Sequence, residues 1–338
     1  MNYTNEQKNI IRNKIIRNID RVEQILPSEV NEAFSNTAIE NTIKVKIETS
    51  DICNVVENID CFEGLKNIKS SSVSLILTDP PYFIEGMGDD WDKEKLAGKR
   101  FEKSTVASLP GGMKFDPAQG KKNEEFSRKL GVEYLRVLKP GGFLISFSQA
   151  RLYHRMTLAF EDCGFEIRDM LGWTYEGQAK AFSQDHFIDK MKISDEEKIA
   201  LKKSLGGRKT PQLKPMIEPM CLAQKPKEGT FIENWKNHGV GLIDVNNPWE
   251  DKFPGNIMFC KKPTKEEKGI DNKHLTVKPI KLIKHLINIF CPEGHIVLDP
   301  FLGSGTTAVA ALATNRKIIG FEINKEYFKT IEKRISGI

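Results

Sequence analysis

Two short stretches constrain this chain more than anything else in it, and so does their order. The first, Val73-Ser-Leu-Ile-Leu-Thr78-Asp79-Pro80-Pro81-Tyr82, is an apolar run closed by an acid, two prolines and an aromatic. The second, Ile296-Val-Leu-Asp299-Pro300-Phe301-Leu302-Gly303-Ser304-Gly305-Thr306-Thr307, is an apolar run closed by an acid and a glycine-rich loop. Short continuous apolar runs bounded by turn residues read as strands buried on both faces, as in a parallel sheet covered by helices. Ligands of such α/β sheets gather at the carboxyl ends of the strands, and both motifs sit there.

A chain of 338 residues can bury one large core, or a core and a smaller insert. The net charge of +5, from 51 basic and 46 acidic residues, permits a polyanion partner at a local basic face and equally fits a solvated surface of mixed sign. Cysteines 53, 61, 163, 221, 260 and 291 are scattered without a C-x-x-C pair, so no metal site is expected. No apolar run reaches membrane-spanning length, and residues 1–8 are polar with no apolar segment after them. The expectation is a cytoplasmic protein with reduced thiols and no membrane contact.

Along the chain, isoleucines and a valine over residues 5–26 fall on one face of an amphipathic helix. Residues 43–47 alternate as a strand does. Residues 83–122 are rich in Gly, Asp and Lys and too long for an ordinary connection, so a mobile functional loop is expected there. A helix over 124–137, a turn at Lys139-Pro140-Gly141-Gly142, a buried strand at 143–147, a helix at 152–160 and a strand at 165–175 follow. From about 177 to 272 the sequence becomes Lys-rich and Pro-punctuated, which reads as an insert outside the sheet. Order returns with a helix at 280–290 and a βαβ unit of strand 296–299, helix 306–314 and strand 317–323.

Gly303-Ser304-Gly305-Thr306-Thr307-Ala308 fits G-x-G-x-x-A, and Glu322 ends the next strand about 20 residues on, where a nucleotide-binding unit places its ribose-binding acid. A nicotinamide-dependent dehydrogenase is the competing reading of this motif. Against it, the chain closes soon after Glu322, and Asp299 puts a carboxylate where an ammonium suits better than a pyrophosphate.

The Asp-Pro-Pro-Tyr motif suits a different task. An exocyclic amine of adenine or cytosine is a poor nucleophile, because its lone pair is delocalised into the ring. Acceptors on both amine hydrogens would localise it, and the Asp79 carboxylate and Pro80 carbonyl can serve. Pro80 and Pro81 fix that carbonyl in extended geometry without a competing N–H. Tyr82 offers a stacking face to a base flipped out of a duplex. There is no Pro-Cys dipeptide, the usual nucleophile context for methylation at cytosine carbon. Together the motifs imply methyl transfer from S-adenosylmethionine to a nucleobase amine.

In these residues the chain resembles the beta class of DNA amino-methyltransferases, from about residue 51 to the C-terminus. The resemblance implies a Rossmann-like, circularly permuted fold with a mostly parallel seven-stranded sheet, helices on both faces and an inserted target-recognition region. It divides the chain into an N-terminal helical extension (1–47), a catalytic half (48–176), a target-recognition insert (177–272) and a cofactor half (273–338). It implies Asp79, Pro80, Pro81 and Tyr82 as catalytic residues. For S-adenosylmethionine it implies Asp60, Cys61, Lys278, Asp299, Phe301, Gly303, Ser304, Gly305, Thr306, Glu322 and Ile323, with Lys278 beside the methionine carboxylate.

By the same resemblance Trp173 and Tyr175 line the target-base pocket, and Arg208, Lys209 and Lys214 face DNA. Double-stranded DNA is the implied partner, and a homodimer is admitted. The Asp form of the motif resembles N6-adenine enzymes more than N4-cytosine ones. An RNA-directed enzyme and a non-catalytic DNA-binding subunit stay open beside the dehydrogenase.

Overall fold

Every residue of Val73–Thr78 is buried, and this strand forms the middle of the sheet with helices on both sides. The structure, a computed structural model, describes residues 44–49, 52–82, 117–247, 249, 253–268 and 276–336. All of them belong to one compact unit, Lys44–Ile338. The helix expected over 5–26 and the loop expected over 83–116 lie outside the described residues.

In chain order the first elements are β1 (Lys44–Thr49), β2 (Ile52–Glu57), α1 (Cys61–Lys66), β3 (Val73–Thr78), α2 (Pro117–Val137), β4 (Leu138–Phe147), α3 (Tyr153–Asp162) and β5 (Glu166–Thr174). Then come α4 (Asp185–Asp189), α5 (Asp195–Leu205), β6 (Ile217–Gln224), α6 (Phe231–His238), β7 (Ile257–Phe259) and α7 (Lys265–Lys268). The chain closes with α8 (Ile280–Phe290), β8 (Ile296–Asp299), α9 (Thr306–Leu312), β9 (Lys317–Phe321) and α10 (Lys325–Ile335).

The strands form one sheet in the order β1-β2-β9-β8-β3-β4-β6-β5-β7. Nine strands replace the expected seven, because β1 and β7 extend the two edges. The pairs β2–β9, β9–β8, β8–β3, β3–β4 and β5–β7 are parallel, while β1–β2, β4–β6 and β6–β5 are antiparallel. The fold is thus α/β with a mostly parallel sheet. Alternating residues of β3 and β4 feed two cores. Leu75, Leu77, Phe143 and Ile145 meet α8, α9 and α10, while Val73, Ile76 and Leu144 meet α1, α2 and α3.

The amphipathic spacing of α8 accounts for its place, since Leu282, Ile283, Leu286, Ile287, Ile289 and Phe290 all bury. Each such side chain contributes about 1.5–3 kcal/mol of burial.

Three further expectations differ from what is seen. Helix α2 starts at Pro117, so residues 117–122 are helical rather than loop. Lys139–Gly142 is no turn: β4 runs through it with a shift of register against β3. Gly141 adopts φ +78° there, and a side chain on it would meet the amide of Asn234. Asn234, fully buried on α6, donates to Pro140 O at 3.0 Å and Val240 O at 2.9 Å, which locks the bulge.

The third difference concerns the Lys-rich region. Part of it is sheet, since Ile217–Gln224 lies between β4 and β5 and buries its last six residues. Its antiparallel direction puts its first residues at the same sheet end as the last residues of β3, β4, β5, β8 and β9.

At that end Gly320 pairs with Asp299 and has no room for a side chain: a Cβ would fall 2.4 Å from Leu302 Cδ1. Leu302 leads into the glycine loop, held by Leu302 N donating to Phe321 O at 2.9 Å. Gly320→Ala is therefore expected to cost about 1–3 kcal/mol through overpacking. Urea unfolding would show it as a lower midpoint with unchanged slope; an unshifted midpoint would mean the loop yields freely.

Candidate active site

Before the glycine loop, β8 ends in Asp299, which is 3% exposed. Its Oδ1 accepts from Thr78 Oγ1 at 2.8 Å and from Phe301 N at 3.1 Å, binding the ends of β3 and β8 together. Burial pushes its carboxyl up to about 6, against the pull of hydrogen bonds from Thr307, Thr78 and Phe301. The loop then turns through Gly303 (φ +55°) and Gly305 (φ +83°), conformations that glycine reaches without strain.

One strand over, Glu322 follows β9. Its Oε2 accepts from Gly303 N at 2.8 Å and its Oε1 from Asn324 N at 2.7 Å. Burial raises it to about 7 despite those two backbone donors. Asn58 donates to Glu322 O at 2.6 Å and Ile323 O at 3.1 Å, fastening β9 to the segment before α1. In that segment Asp60 caps α1, its Oδ1 accepting from Phe62 N at 2.9 Å. Cys61 is buried there, which pushes its thiol up to about 12. Phe301 is partly buried, its ring 6.0 Å from Phe126, and Ile323 is 65% exposed.

On the other side, β3 delivers Asp79. Its Oδ1 accepts from the Tyr82 hydroxyl and its Oδ2 from Lys278 Nζ at 2.5 Å. Lys278 also lies 2.6 Å from Glu218 Oε1 and 4.8 Å over the Phe147 ring. Burial by itself would lower the Lys278 ammonium, but Asp79 and Glu218 outweigh it and hold it above the usual lysine value. The Tyr82 phenol is raised by burial, then by those same two carboxylates. Trp173 and Tyr175 at the end of β5 are both buried, with rings 4.9 Å apart. Trp173 Nε1 donates to Cys260 O at 2.8 Å, so its polar edge is spent on packing.

The sheet thus gathers Asp60, Asp79, Lys278, Asp299 and Glu322 with the glycine loop at one end. Lys278, which the resemblance sets beside the methionine carboxylate, stands against the Asp79 carboxylate. Arg208, Lys209 and Lys214 are exposed and stay apart from this cluster; Arg208 donates to Leu205 O at 3.1 Å.

Glu218, Gln119, Arg151 and Arg334 were not read from the sequence. Glu218 sits at the start of β6. Gln119, buried, donates to Tyr82 O at 3.0 Å and accepts from Arg151 at 2.6 Å. Arg334 donates to Ser304 O at 2.7 Å and to Thr306 Oγ1 at 3.2 Å, bracing the glycine loop from α10. For Glu218 a signal existed: the apolar run 219–223 between two Lys-Pro pairs has the form of a buried strand.

Fold and site together define a methyltransferase of the Rossmann-like class. The family profile of DNA methylases matches residues 73–333, and the chain belongs to that family of DNA amino-methyltransferases. It is 30% identical over 302 residues to the type II methyltransferase M.HindIII of Haemophilus influenzae, covering 83% of this chain and 94% of that one. To the DNA adenine methyltransferase YhdJ of Escherichia coli it is 28% identical over 292 residues, covering 82% and 80%. Among solved structures, the cytosine-N4-specific PvuII DNA methyltransferase superposes with a TM-score of 0.57 at 18% identity, covering 87% and 90%. The M1.HpyAVI–SAM complex gives 0.50 at 22%, covering 83% and 98%. The structural likenesses speak for the fold. Membership of this family sets the dehydrogenase reading aside. No described helix is long and apolar enough to cross a membrane, and no metal-binding cluster occurs among the described residues.

The raised carboxyls of Asp299 and Glu322 carry a consequence for stability. The folded chain holds these protons more tightly than the unfolded one, so their contribution is full below about pH 4 and is lost as pH rises through about 6 to 7. Unfolding free energy is expected to fall between about pH 4 and pH 7, with Glu322→Gln flattening that fall. Equal slopes in urea titrations of the two proteins would refute the assignment.

Proposed function

We propose that this chain is a site-specific DNA methyltransferase that moves the methyl group of S-adenosylmethionine to N6 of adenine in duplex DNA, by base flipping and direct attack. One observation carries the reading: the Asp-Pro-Pro-Tyr carboxylate and the glycine-loop carboxylates end neighbouring strands, tied by Thr78 to Asp299 at 2.8 Å. An amine acceptor and a cofactor cradle therefore share one rigid floor. Adenine is favoured over cytosine by the Asp form of the motif and by the adenine-directed relative above.

The residues present fit the cofactor. Asp299 and Glu322 are buried carboxylates raised by desolvation, the chemistry that an ammonium and a ribose diol would relieve. Glu322 would take the ribose hydroxyls and Asp299 would lie toward the ammonium. Backbone from Gly303, Ser304, Gly305 and Thr306 would wrap the chain between them. Asp60, Cys61, Phe301 and Ile323 would border the adenine. The sulfonium supplies an electrophilic methyl group.

Asp79 and the Pro80 carbonyl would then hold the target amine and localise its lone pair toward that methyl group. Tyr82 would give its ring to the base, and Tyr175, with Trp173 behind it, would wall the pocket. No protein nucleophile is required, and the buried Cys61, Cys221 and Cys291 thiols, all pushed up to about 12 by burial, are ill suited to act as one. Residues 177–272 would read the sequence, with Arg208, Lys209 and Lys214 against phosphates. A DNA substrate and scattered unpaired thiols suit the cytoplasm.

Asp79→Ala is expected to abolish methyl transfer while cofactor affinity stays within about a few-fold, because an aimed acceptor acts on charge that develops in the transition state. Labelled cofactor under single turnover reads the first arm and calorimetry the second; substantial residual turnover would sink the role. Single-molecule sequencing of DNA from expressing cells identifies the modified base, and N4-methylcytosine would overturn the adenine assignment. Arg208→Ala with Lys209→Ala should weaken DNA binding and reduce its salt slope by about 1–2 without changing the modified base. An unchanged slope would place the phosphate contacts elsewhere.

A further inference from the structure

Methyl transfer to an amine carries one positive charge from sulfur to nitrogen. The amine lone pair forms the carbon–nitrogen bond as the carbon–sulfur bond breaks and leaves its pair on sulfur. Nitrogen is cationic until one of its protons passes to Asp79 and from there to water. A site that favours this step must present net negative charge at the amine. Asp79 with Lys278 alone cannot do so, because a carboxylate and an ammonium 2.5 Å apart sum to zero.

The missing charge is on the other side of the same ammonium. Glu218 Oε1 lies 2.6 Å from Lys278 Nζ, with side-chain exposures of 19% and 9%. Lys278 cannot escape the balance by losing its proton, since its two carboxylate neighbours hold it protonated. The Tyr82 hydroxyl, which donates to Asp79, lies within reach of Glu218 as well. The next cation, Lys262, is exposed above the Tyr175 ring at 4.2 Å, where solvent screens it. Burial raises the Glu218 carboxyl, the Lys278 ammonium pulls it back and Asp79 adds to the rise; with Glu218 ionised, Asp79, Glu218 and Lys278 sum to one negative charge inside a partly desolvated pocket.

We propose that Glu218 is a positioning residue for methyl transfer: it neutralises Lys278 and so leaves Asp79 an uncompensated acceptor for the amine as it becomes cationic. The inference rests on the methyl-transfer reading above and adds a residue outside both sequence motifs. Without the Glu218 charge, Lys278 answers to Asp79 alone, and the amine meets a neutral pair.

The test uses the full chain, labelled S-adenosylmethionine and duplex DNA carrying its mapped site, under single turnover. Glu218→Gln keeps the shape and removes the charge; the rate is expected to fall about 10- to 100-fold. Cofactor affinity by calorimetry and DNA affinity by filter binding should stay within about threefold, about half of a tenfold step in free energy. Glu218→Asp keeps the charge and should be faster than Glu218→Gln. Glu218→Gln combined with Lys278→Met restores a lone negative Asp79 and should recover about tenfold over Glu218→Gln.

A Glu218→Gln rate within about twofold of the unaltered chain, or a Glu218→Asp protein slower than Glu218→Gln, overturns the proposal even if the double variant fails to fold. A double variant that melts cooperatively yet is no faster than Glu218→Gln also overturns it. If the unaltered chain binds duplex DNA but transfers no methyl group, the functional reading itself falls and this inference with it.

Discussion

The bond from Thr78 Oγ1 to Asp299 Oδ1, 2.8 Å long and buried, is the constraint on which the site depends. It joins residues 221 positions apart in the chain, at the ends of two parallel strands paired through Leu75–Val297 and Ile76–Leu298. Removing Thr78 would take one buried donor from Asp299 and leave it those of Phe301 and Thr307, at a cost of about 1–3 kcal/mol. Asp79 follows Thr78 directly, and Phe301 N turns back onto Asp299 to start the glycine loop. The position of Asp79, the proposed amine acceptor, relative to Asp299 is therefore set by sheet register.

The electrostatics of this end of the sheet differ from those of the molecule as a whole. The chain carries a small positive excess, yet this end of the sheet collects Asp79 and Glu218 against the buried Lys278, with Asp299 and Glu322 at the ends of the neighbouring strands. Burying these carboxylates works against the fold, as the upward shifts of Glu218, Asp299 and Glu322 record. The arrangement suits a reaction in which both donor and product are cations at the reacting atoms. Basic residues such as Arg208, Lys209 and Lys214 stay outside, where phosphates would be met without neutralising the interior. Segregating charge in this way would let one surface attract a polyanion while the pocket favours a cation.

What was legible in the sequence was local. β3 and β8 are buried on both faces and so appear as unbroken apolar runs, and α8 shows its face by its spacing. Asp79, Asp299 and Glu322 were legible for the same reason, since each stands where such a run stops. The bulge at Lys139–Gly142 was not legible, because its meaning comes from Asn234, about 90 positions away, whose amide fills the space a side chain on Gly141 would take. Arg334 was also hidden: an arginine near a helix end looks solvated until the helix is seen to pack against the glycine loop.

β6 was missed for a more instructive reason. A strand that reverses direction in a mostly parallel sheet has no βαβ unit around it, so the alternation of strand and helix that marks the rest of the core breaks off there. Its flanks, Lys214-Pro215 and Lys225-Pro226, look like loop. Yet the reversal is what brings Glu218 to the functional end. In a parallel strand the residues that enter the sheet lie at the far edge from the ligands. In an antiparallel one they lie at the near edge, so Glu218 pairs with Trp173 and comes beside Lys278. The direction of one strand thus decides which of its ends can take part in chemistry, and it extends the site to a residue that belongs to neither motif.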